Sequence, residues 1–148
     1  MLPLEMETAA RSTDAAREAW GLFWRIFMED KKRRWAILSE LGISPQQSMA
    51  ITTLKPGEPL PMGALADALH CDNSNITGIV DRLEAAGLAE RRAHERDRRV
   101  KAVVLTEKGE HARIEIERRV GEPPPRLAAI SEEDAVALRD ILARALAD

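Results

Sequence analysis

The sequence is poor in cysteine and in aromatic residues, and the shortage of cysteine argues against a disulfide-bonded protein and a structural zinc site. Its 148 residues include one cysteine, no tyrosine, two phenylalanines and three tryptophans. A single cysteine cannot form an intramolecular disulfide, which favours a reducing compartment over secretion. The three histidines share no short ligand spacing, and one cysteine cannot complete a structural zinc site. We therefore expect no metal site.

Long apolar runs are also missing. No stretch approaches the roughly 20 consecutive apolar residues that a membrane-spanning helix needs. The first twenty residues carry acids where a signal peptide would carry bases, and they contain no apolar segment. We expect a cytoplasmic protein with no membrane partner, long enough for one domain with a hydrophobic core.

Motifs that would indicate catalysis are absent. The sequence contains no Gly-x-Ser-x-Gly, no phosphate-binding glycine loop of the Walker type and no His-Glu-x-x-His. An enzyme would need a nucleophile, a base and an orienting group, or a site that cradles a phosphate. We therefore expect no catalytic residues and no cofactor, and we predict that the chain is not an enzyme.

An overall basic excess, which many nucleic-acid-binding proteins have, is lacking as well, since the net charge is −3. The charge is unevenly distributed, however. Residues 88–101 contain six basic and three acidic side chains, whereas acids outnumber bases in residues 1–30 and 107–148. Because binding to phosphates depends on the local field, the basic central segment is compatible with a DNA-binding surface between acidic ends.

A short, capped helix is predicted to start near Asn73. Asp72 is a good N-cap residue, because its carboxylate can accept hydrogen bonds from the free N–H groups of the first turn. Gly87 suits the left-handed conformation that ends a helix. Four apolar residues recur at i, i+3, i+4 and i+7 and therefore share one face. They are Ile76, Ile79, Val80 and Leu83.

The opposite face of this helix is small and polar, which suits the reading of base edges in a major groove. Gly78, at its centre, reads no base but allows close approach, and it weakens the helix by about 0.5–1 kcal/mol relative to alanine. Arg82 is expected to contact a phosphate. The candidate base-reading residues are Asn73, Ser74, Asn75 and Thr77.

Residues 88–92 and 100–105 are predicted to pair as a hairpin, with residues 93–99 at its tip. The second segment is rich in β-branched residues, which favour strands. Arginines at such a tip can follow phosphates or enter a narrow minor groove. The candidate DNA contacts of the hairpin are Arg92, Arg96, Arg98 and Arg99.

The run DRLEAAGLAERR, followed by DRR and, five residues later, by LTEKG, resembles the signature of the MarR family of winged-helix transcriptional regulators. In that family an Asp-x-Arg wing motif precedes a Leu-Thr that starts the next helix, and Asp97, Arg99, Leu105 and Thr106 match this pattern. The resemblance extends from about residue 16 to the end. It implies a homodimer that binds double-stranded DNA and is released by a small molecule or an oxidant.

The resemblance also implies roles for the wing, which is the predicted hairpin of residues 88–105. Asp97 and Arg99 are expected to hold it in shape through a charge pair, and Arg96 or Arg98 to contact a minor groove. Gly78 departs from the family pattern, because relatives often carry a longer polar or basic side chain there. Base recognition is therefore expected to shift toward the N-terminal residues of the helix.

The predicted fold class is mainly α (α+β), with residues 1–148 as one chain. A winged helix-turn-helix DNA-binding lobe is assigned to residues 44–106, and a helical dimerisation lobe to residues 12–42 and 107–148. Further helices are predicted at 12–41, as one helix or two abutting ones, at 45–54, 62–70 and 107–120, and from Ser131 onward. An extended linker with Pro59 and Pro61 precedes the helix at 62–70.

All five aromatic residues lie in the first predicted helical region, and two interpretations of them stay open. In the first interpretation, these residues form the core of a dimer interface, where aromatic side chains are enriched. Alternatively, some of them line a pocket for a small aromatic or apolar effector. The candidate pocket residues are Trp20, Phe23, Trp24 and Phe27, and the fifth aromatic is Trp35.

The sequence predicts a ligand-responsive homodimeric repressor on a pseudo-palindromic operator, and it leaves two alternatives open. Cys71, just before the predicted reading helix, could make the regulator redox-responsive if its thiol were exposed and acidic. Peroxide-sensing relatives use a cysteine near the first helix instead, and this chain has none there, which favours a packing role. The second alternative is a winged helix that binds proteins and never DNA.

Overall fold

A computed structural model describes residues 13–147 of the chain, which form a mainly helical fold with one small antiparallel sheet, as predicted. The predictions that fall on residues 1–12, including the start of the first helix and the absence of a leader, lie outside the described residues. The helices are α1 Asp14–Glu29, α2 Lys31–Glu40, α3 Pro45–Thr53, α4 Met62–Ala68, α5 Asn73–Ala85, α6 Glu107–Val120, α7 Pro125–Ala128 and α8 Glu132–Leu146. The strands are β1 Leu60–Pro61, β2 Ala89–Ala93 and β3 Lys101–Leu105.

The chain divides into two compact units. Within the described residues, one unit comprises residues 13–31 with 123–147, and the other comprises residues 32–122. The second unit contains the predicted winged helix together with α2 and α6. The division into a DNA-binding and a dimerisation lobe concerns function and stays a prediction. No helix among residues 13–147 has both the length and the apolar composition needed to cross a bilayer.

The hydrophobic core lies in the unit of residues 32–122, and α5 is its central helix. The predicted apolar stripe of α5 is buried along its whole length, which confirms the helical periodicity. Side chains from α3, α4 and β3 surround it. The largest fully buried side chains are Ile51, Leu54, Leu65, Ile76, Val80, Leu83 and Val103.

The predicted hairpin is present, and its strands differ from the predicted bounds by one residue. Ala89 lies opposite Leu105, and Ala93 lies opposite Lys101. The sheet nevertheless has three strands, in the order β1-β3-β2, because the segment predicted as a linker pairs with β3 at Leu60 and Pro61. Proline suits an edge strand because it has no N–H to donate to a ladder.

Helix α4 ends at Ala68, two residues before its predicted end. His70 adopts a left-handed conformation with φ of 50°, and this reverses the chain. The Cys71 N–H then donates to the Ala66 carbonyl over 3.0 Å, which satisfies a carbonyl of the last turn. The tight turn between α4 and α5 therefore depends on a non-glycine residue at positive φ, a conformation that is uncommon but in which histidine is enriched.

The region of residues 13–41 consists of two abutting helices, which settles the open alternative, and Trp35 lies on the second of them. The last helix starts after Ser131, whose side chain accepts a hydrogen bond from the Asp134 N–H. The short helix α7, within the proline-rich segment, was not predicted from the sequence. Proline suits the first position of a helix because its missing N–H has no intrahelical partner there.

The wing is joined to α6 by a dense junction around Thr106. The Thr106 side chain caps α6 by accepting from the Gly109 N–H and donates its hydroxyl proton to the Gly87 carbonyl. The Thr106 N–H donates to the Leu88 carbonyl. A Cβ at Gly109 would lie 1.9 Å from that same Leu88 oxygen, so the glycine is required for this approach.

We expect Gly109→Ala to destabilise the protein by about 1–3 kcal/mol, because α6 must move away from the Leu88 backbone. Gly63→Ala, on α4, is the matched control, since a Cβ at Gly63 would meet nothing within 4 Å. That substitution should be neutral or stabilise by up to about 1 kcal/mol. Urea unfolding measures both, and equal midpoints for the two variants would contradict the packing described.

Candidate nucleic-acid interface

Asp72 fixes the N-terminus of α5. Its carboxylate accepts a hydrogen bond from the Asn75 N–H and another from the Ser74 hydroxyl, each over 2.8 Å. The bond from the Asn75 backbone, followed by that from Ser74, holds the pKa of the Asp72 carboxyl below its ordinary value. The cap is therefore fully charged at neutral pH, and its contribution is lost only as the pH falls below that ordinary value.

The predicted DNA-contacting face of α5 lies on the surface. Its side chains are exposed while the apolar stripe on the other side of the helix is buried, so packing alone decides which face can meet a ligand. Because Gly78 has no side chain, nothing protrudes from the middle of this face at that position. The exposed side chains are Asn73, Ser74, Asn75, Thr77 and Arg82.

The polar side chains of this face differ in the hydrogen-bond donors and acceptors that they keep for an external partner. The Thr77 hydroxyl donates to the Asn73 carbonyl over 2.8 Å, and the Ser74 hydroxyl donates to Asp72, so both oxygens present mainly lone pairs. The amides of Asn73 and Asn75 have no side-chain hydrogen bond within residues 13–147. Each therefore keeps a donor and an acceptor, the combination that reads adenine in a major groove.

Gly78 and Arg82 share one position on this face. A Cβ at Gly78 would meet only the Arg82 guanidinium, at 3.9 Å. The Arg82 side chain therefore lies beside Gly78 along the helix, and it is exposed there. The arrangement agrees with the proposed phosphate role of Arg82, which stays a prediction.

Arg91, on β2, is held by α5 rather than free for DNA. Its guanidinium contacts the Asp81 carboxylate over 2.6 Å, the Glu84 carboxylate and, over 3.3 Å, the Thr77 carbonyl. The six basic side chains of residues 88–101 therefore overstate the positive charge available to a ligand, because Arg91 is already paired with acids of α5. No local spacing shows this, because the partners lie seven to fourteen residues away.

The next arginine along β2 also has an acidic neighbour. The Arg92 Nε donates to Glu90 over 2.6 Å, and both side chains are largely exposed. Such an exposed pair is weak and exchanges readily with water or phosphate. Arg92 therefore stays available as a candidate contact.

The tip of the wing is closed by backbone hydrogen bonds. The His94 N–H donates to the Val100 carbonyl over 2.9 Å, and the Val100 N–H donates to the Asp97 carbonyl over 3.0 Å. The Asp97 carboxylate accepts the Arg99 N–H over 3.0 Å. Asp97 thus shapes the tip through the Arg99 backbone, and the charge pair expected between their side chains is not among the ion pairs of residues 13–147.

Because Asp97 engages only main chain, the tip arginines keep their charges for an external partner. Within the described part of the chain no acid forms an ion pair with them, and all are exposed. An arginine that is free at a loop tip can enter a narrow minor groove at little cost in broken contacts. These residues are Arg96, Arg98 and Arg99.

The four candidate pocket aromatics form a stacked row along α1. Trp20 stacks on Phe23, and Trp24 on Phe27, with ring centroids 5.6 and 5.8 Å apart. The row is open to solvent in the isolated chain, with Trp20 63% exposed. Dimer core and effector pocket both stay open as its role.

Cys71 is half-buried and packs against the hydrophobic core, which favours the packing role over the redox alternative. Residues 13–147 contain no group of three or more histidine, cysteine or acidic side chains that could hold a metal ion.

Comparison with known proteins identifies this architecture. Residues 43–101 match the MarR family model. The structure of a MarR family protein from Bacillus stearothermophilus is 29% identical, with a TM-score of 0.76, and the match covers 91% of this chain and 95% of that one. Residues 43–101 are therefore similar in sequence to the MarR family, and the fold is that of MarR family proteins. Its sheet with a helix-turn-helix is therefore the winged helix that the sequence predicted.

Two further MarR-like proteins carry functional descriptions. Transcriptional repressor MprA of Escherichia coli (strain K12) is 38% identical over 80 residues, which make up 53% of this chain and 46% of that protein. A mutant of S. aureus MepR bound to an oligodeoxyribonucleotide is 24% identical with a TM-score of 0.64, over 86% of this chain and 95% of that one. The chain spans about half the length of the curated relatives that it matches. Those relatives are named as regulators, in agreement with the prediction that the chain is not an enzyme.

The wing geometry makes a prediction for Asp97. Asp97→Ala removes the acceptor of the Arg99 N–H and should loosen the tip without unfolding the protein. Amide hydrogen exchange should accelerate at residues 98–100 while the thermal midpoint changes by less than about 2 °C. Asp97→Asn, which keeps a side-chain acceptor, should stay close to the parent. Unchanged exchange in Asp97→Ala would contradict this role.

Proposed function

We propose that the protein is a DNA-binding transcriptional regulator that acts in the cytoplasm as a homodimeric, ligand-responsive repressor. The observation that carries the proposal is the pairing of an exposed, small, polar face on α5 with an arginine-bearing wing whose tip cations have no acidic partner within residues 13–147. Major-groove reading needs the first feature, and phosphate or minor-groove contact needs the second.

The unit of residues 13–31 and 123–147 supports the homodimer. None of its described apolar side chains is buried, and α1 and α8 carry large exposed ones, of which Leu146 is 83% exposed. Monomeric proteins seldom leave such faces uncovered, and a two-fold axis lets one face cover its own copy. Two reading helices then fall in successive major grooves of a pseudo-palindrome, with half-sites about one helical turn apart.

Release by a small aromatic or apolar effector is the second part of the proposal. The stacked aromatic row on α1 offers an apolar surface of the kind that lines ligand pockets. An effector that binds better to a dimer with mis-spaced reading helices would shift the population away from DNA. Tryptophan fluorescence against a panel of aromatic acids tests this part separately.

A mobility-shift titration at two salt concentrations, with duplexes selected from random DNA by the protein, tests the main proposal. A regulator of this kind should select a two-fold symmetric sequence and lose affinity steeply as salt rises, because counterion release is suppressed. Failure to enrich any sequence, with no salt-dependent shift, would instead favour the protein-binding alternative.

Arg98→Ala should weaken binding about equally for all duplexes and reduce the salt slope by about one, because it removes one phosphate or minor-groove cation. Arg118→Ala is the control, because Arg118 lies on α6 in a pair with Glu115 and outside the proposed interface. An Arg98→Ala protein that binds like the parent would contradict the docking of the wing.

Asn75→Ala should instead relax base choice at one position of each half-site, where a good amide–base pair discriminates by about 1–3 kcal/mol. Gln46→Ala, which removes an exposed amide from α3, is the matched control. Repeating the selection from random DNA with both variants measures the preference. An unchanged sequence profile for Asn75→Ala would show that this amide reads no base.

A further inference from the structure

The exposed face of α5 carries an acid where DNA would lie. Asp81 is in line with Ser74 and Gly78, at helical spacings of seven and three residues, and its side chain is 60% exposed. A carboxylate at this place would repel the phosphates that flank a major groove. The presence of Asp81 therefore needs an explanation if α5 reads DNA.

The structure supplies the explanation in Arg91. Its guanidinium binds the Asp81 carboxylate over 2.6 Å and the Glu84 carboxylate one turn further along α5. The guanidinium also donates to the Thr77 carbonyl over 3.3 Å, and the backbone N–H of Arg91 donates to Glu84 Oε2 over 3.4 Å. With a side chain only 25% exposed, Arg91 is fixed between the strand and the helix and is poorly placed to reach a phosphate itself.

We infer that Arg91 is a positioning residue for DNA binding, which neutralises Asp81 on the reading face and fastens the wing strand β2 to α5. The inference rests on the proposed function. Its distinguishing consequence is electrostatic: once Arg91 is removed, the uncompensated Asp81 is the main obstacle to binding. Removing the charge of Asp81 should then raise affinity much more in the absence of Arg91 than in its presence, whereas the two gains would be equal if Arg91 contacted phosphate directly.

The experiment compares Arg91→Met, Asp81→Asn and the double variant on the duplex selected by the parent protein. Methionine keeps most of the stem packing and removes the cation. Arg91→Met should lose about tenfold or more in affinity at low salt, and less at high salt where the repulsion is screened. Asp81→Asn alone should bind at least as well as the parent, and the double variant should recover most of the loss.

Glu115 and Arg118 on α6 provide the matched control pair, joined over 2.8 Å and outside the reading face. Arg118→Met and Glu115→Gln should leave affinity unchanged. Circular dichroism and urea unfolding check each variant. If Arg91→Met does not fold, Arg91→Lys, which keeps the charge and loses the planar fork, replaces it and should bind within about threefold of the parent.

A double variant as weak as Arg91→Met would overturn the inference, as would a folded Arg91→Met protein that binds like the parent. Weak binding by Asp81→Asn alone would overturn it too, because the Asp81 carboxylate would then assist DNA binding instead of opposing it. Failure of the proposed function looks different, because the parent protein itself would then select no duplex.

Discussion

Burial of one face of α5 is the constraint on which the rest of the structure depends. Ile76, Ile79, Val80 and Leu83 are sealed into the core of residues 32–122, and helical geometry then leaves only the polar face for an external partner. Rotating α5 by one residue would expose large apolar side chains and bury asparagine amides without partners, at a cost of several kcal/mol. The surface proposed to contact DNA is thus determined by apolar packing on the opposite face of α5.

Three acids around this helix are engaged by neighbouring groups of the same chain. Asp72 is engaged by the first turn of α5, Asp81 by Arg91, and Asp97 by the backbone of the wing tip. At the wing tip, three exposed arginines, Arg96, Arg98 and Arg99, form no ion pair within residues 13–147, and they outnumber the two exposed acids there, Glu95 and Asp97. A protein with a net charge of −3 can therefore present a positive surface, because the local field depends on which charges are already paired.

Features set by neighbouring residues could be predicted from the sequence, and features set by distant residues could not. The cap at Asp72, the turn at Gly87 and the start of α6 at Thr106 follow from the intrinsic chemistry of one or two residues. The pairing of Pro61 with Ala102 and the grip of Arg91 on α5 need contacts that form only after the chain folds. The candidate site followed the same division: its outward residues could be predicted from periodicity, whereas its charge pairing could not.

The apolar faces of α1 and α8 are exposed in the isolated chain, which favours assembly with a second copy. An exposed row of stacked rings and an exposed aliphatic stripe are costly in water, at about 25 cal/mol for each Å² of apolar surface left uncovered. In the proposed dimer this surface is buried by symmetry, and the same two-fold axis fixes the spacing of two reading helices. Burial of the apolar faces would then stabilise the dimer and also determine how well the spacing of its two α5 helices fits one turn of DNA. In this proposal, an effector that binds the aromatic row would act by changing that spacing.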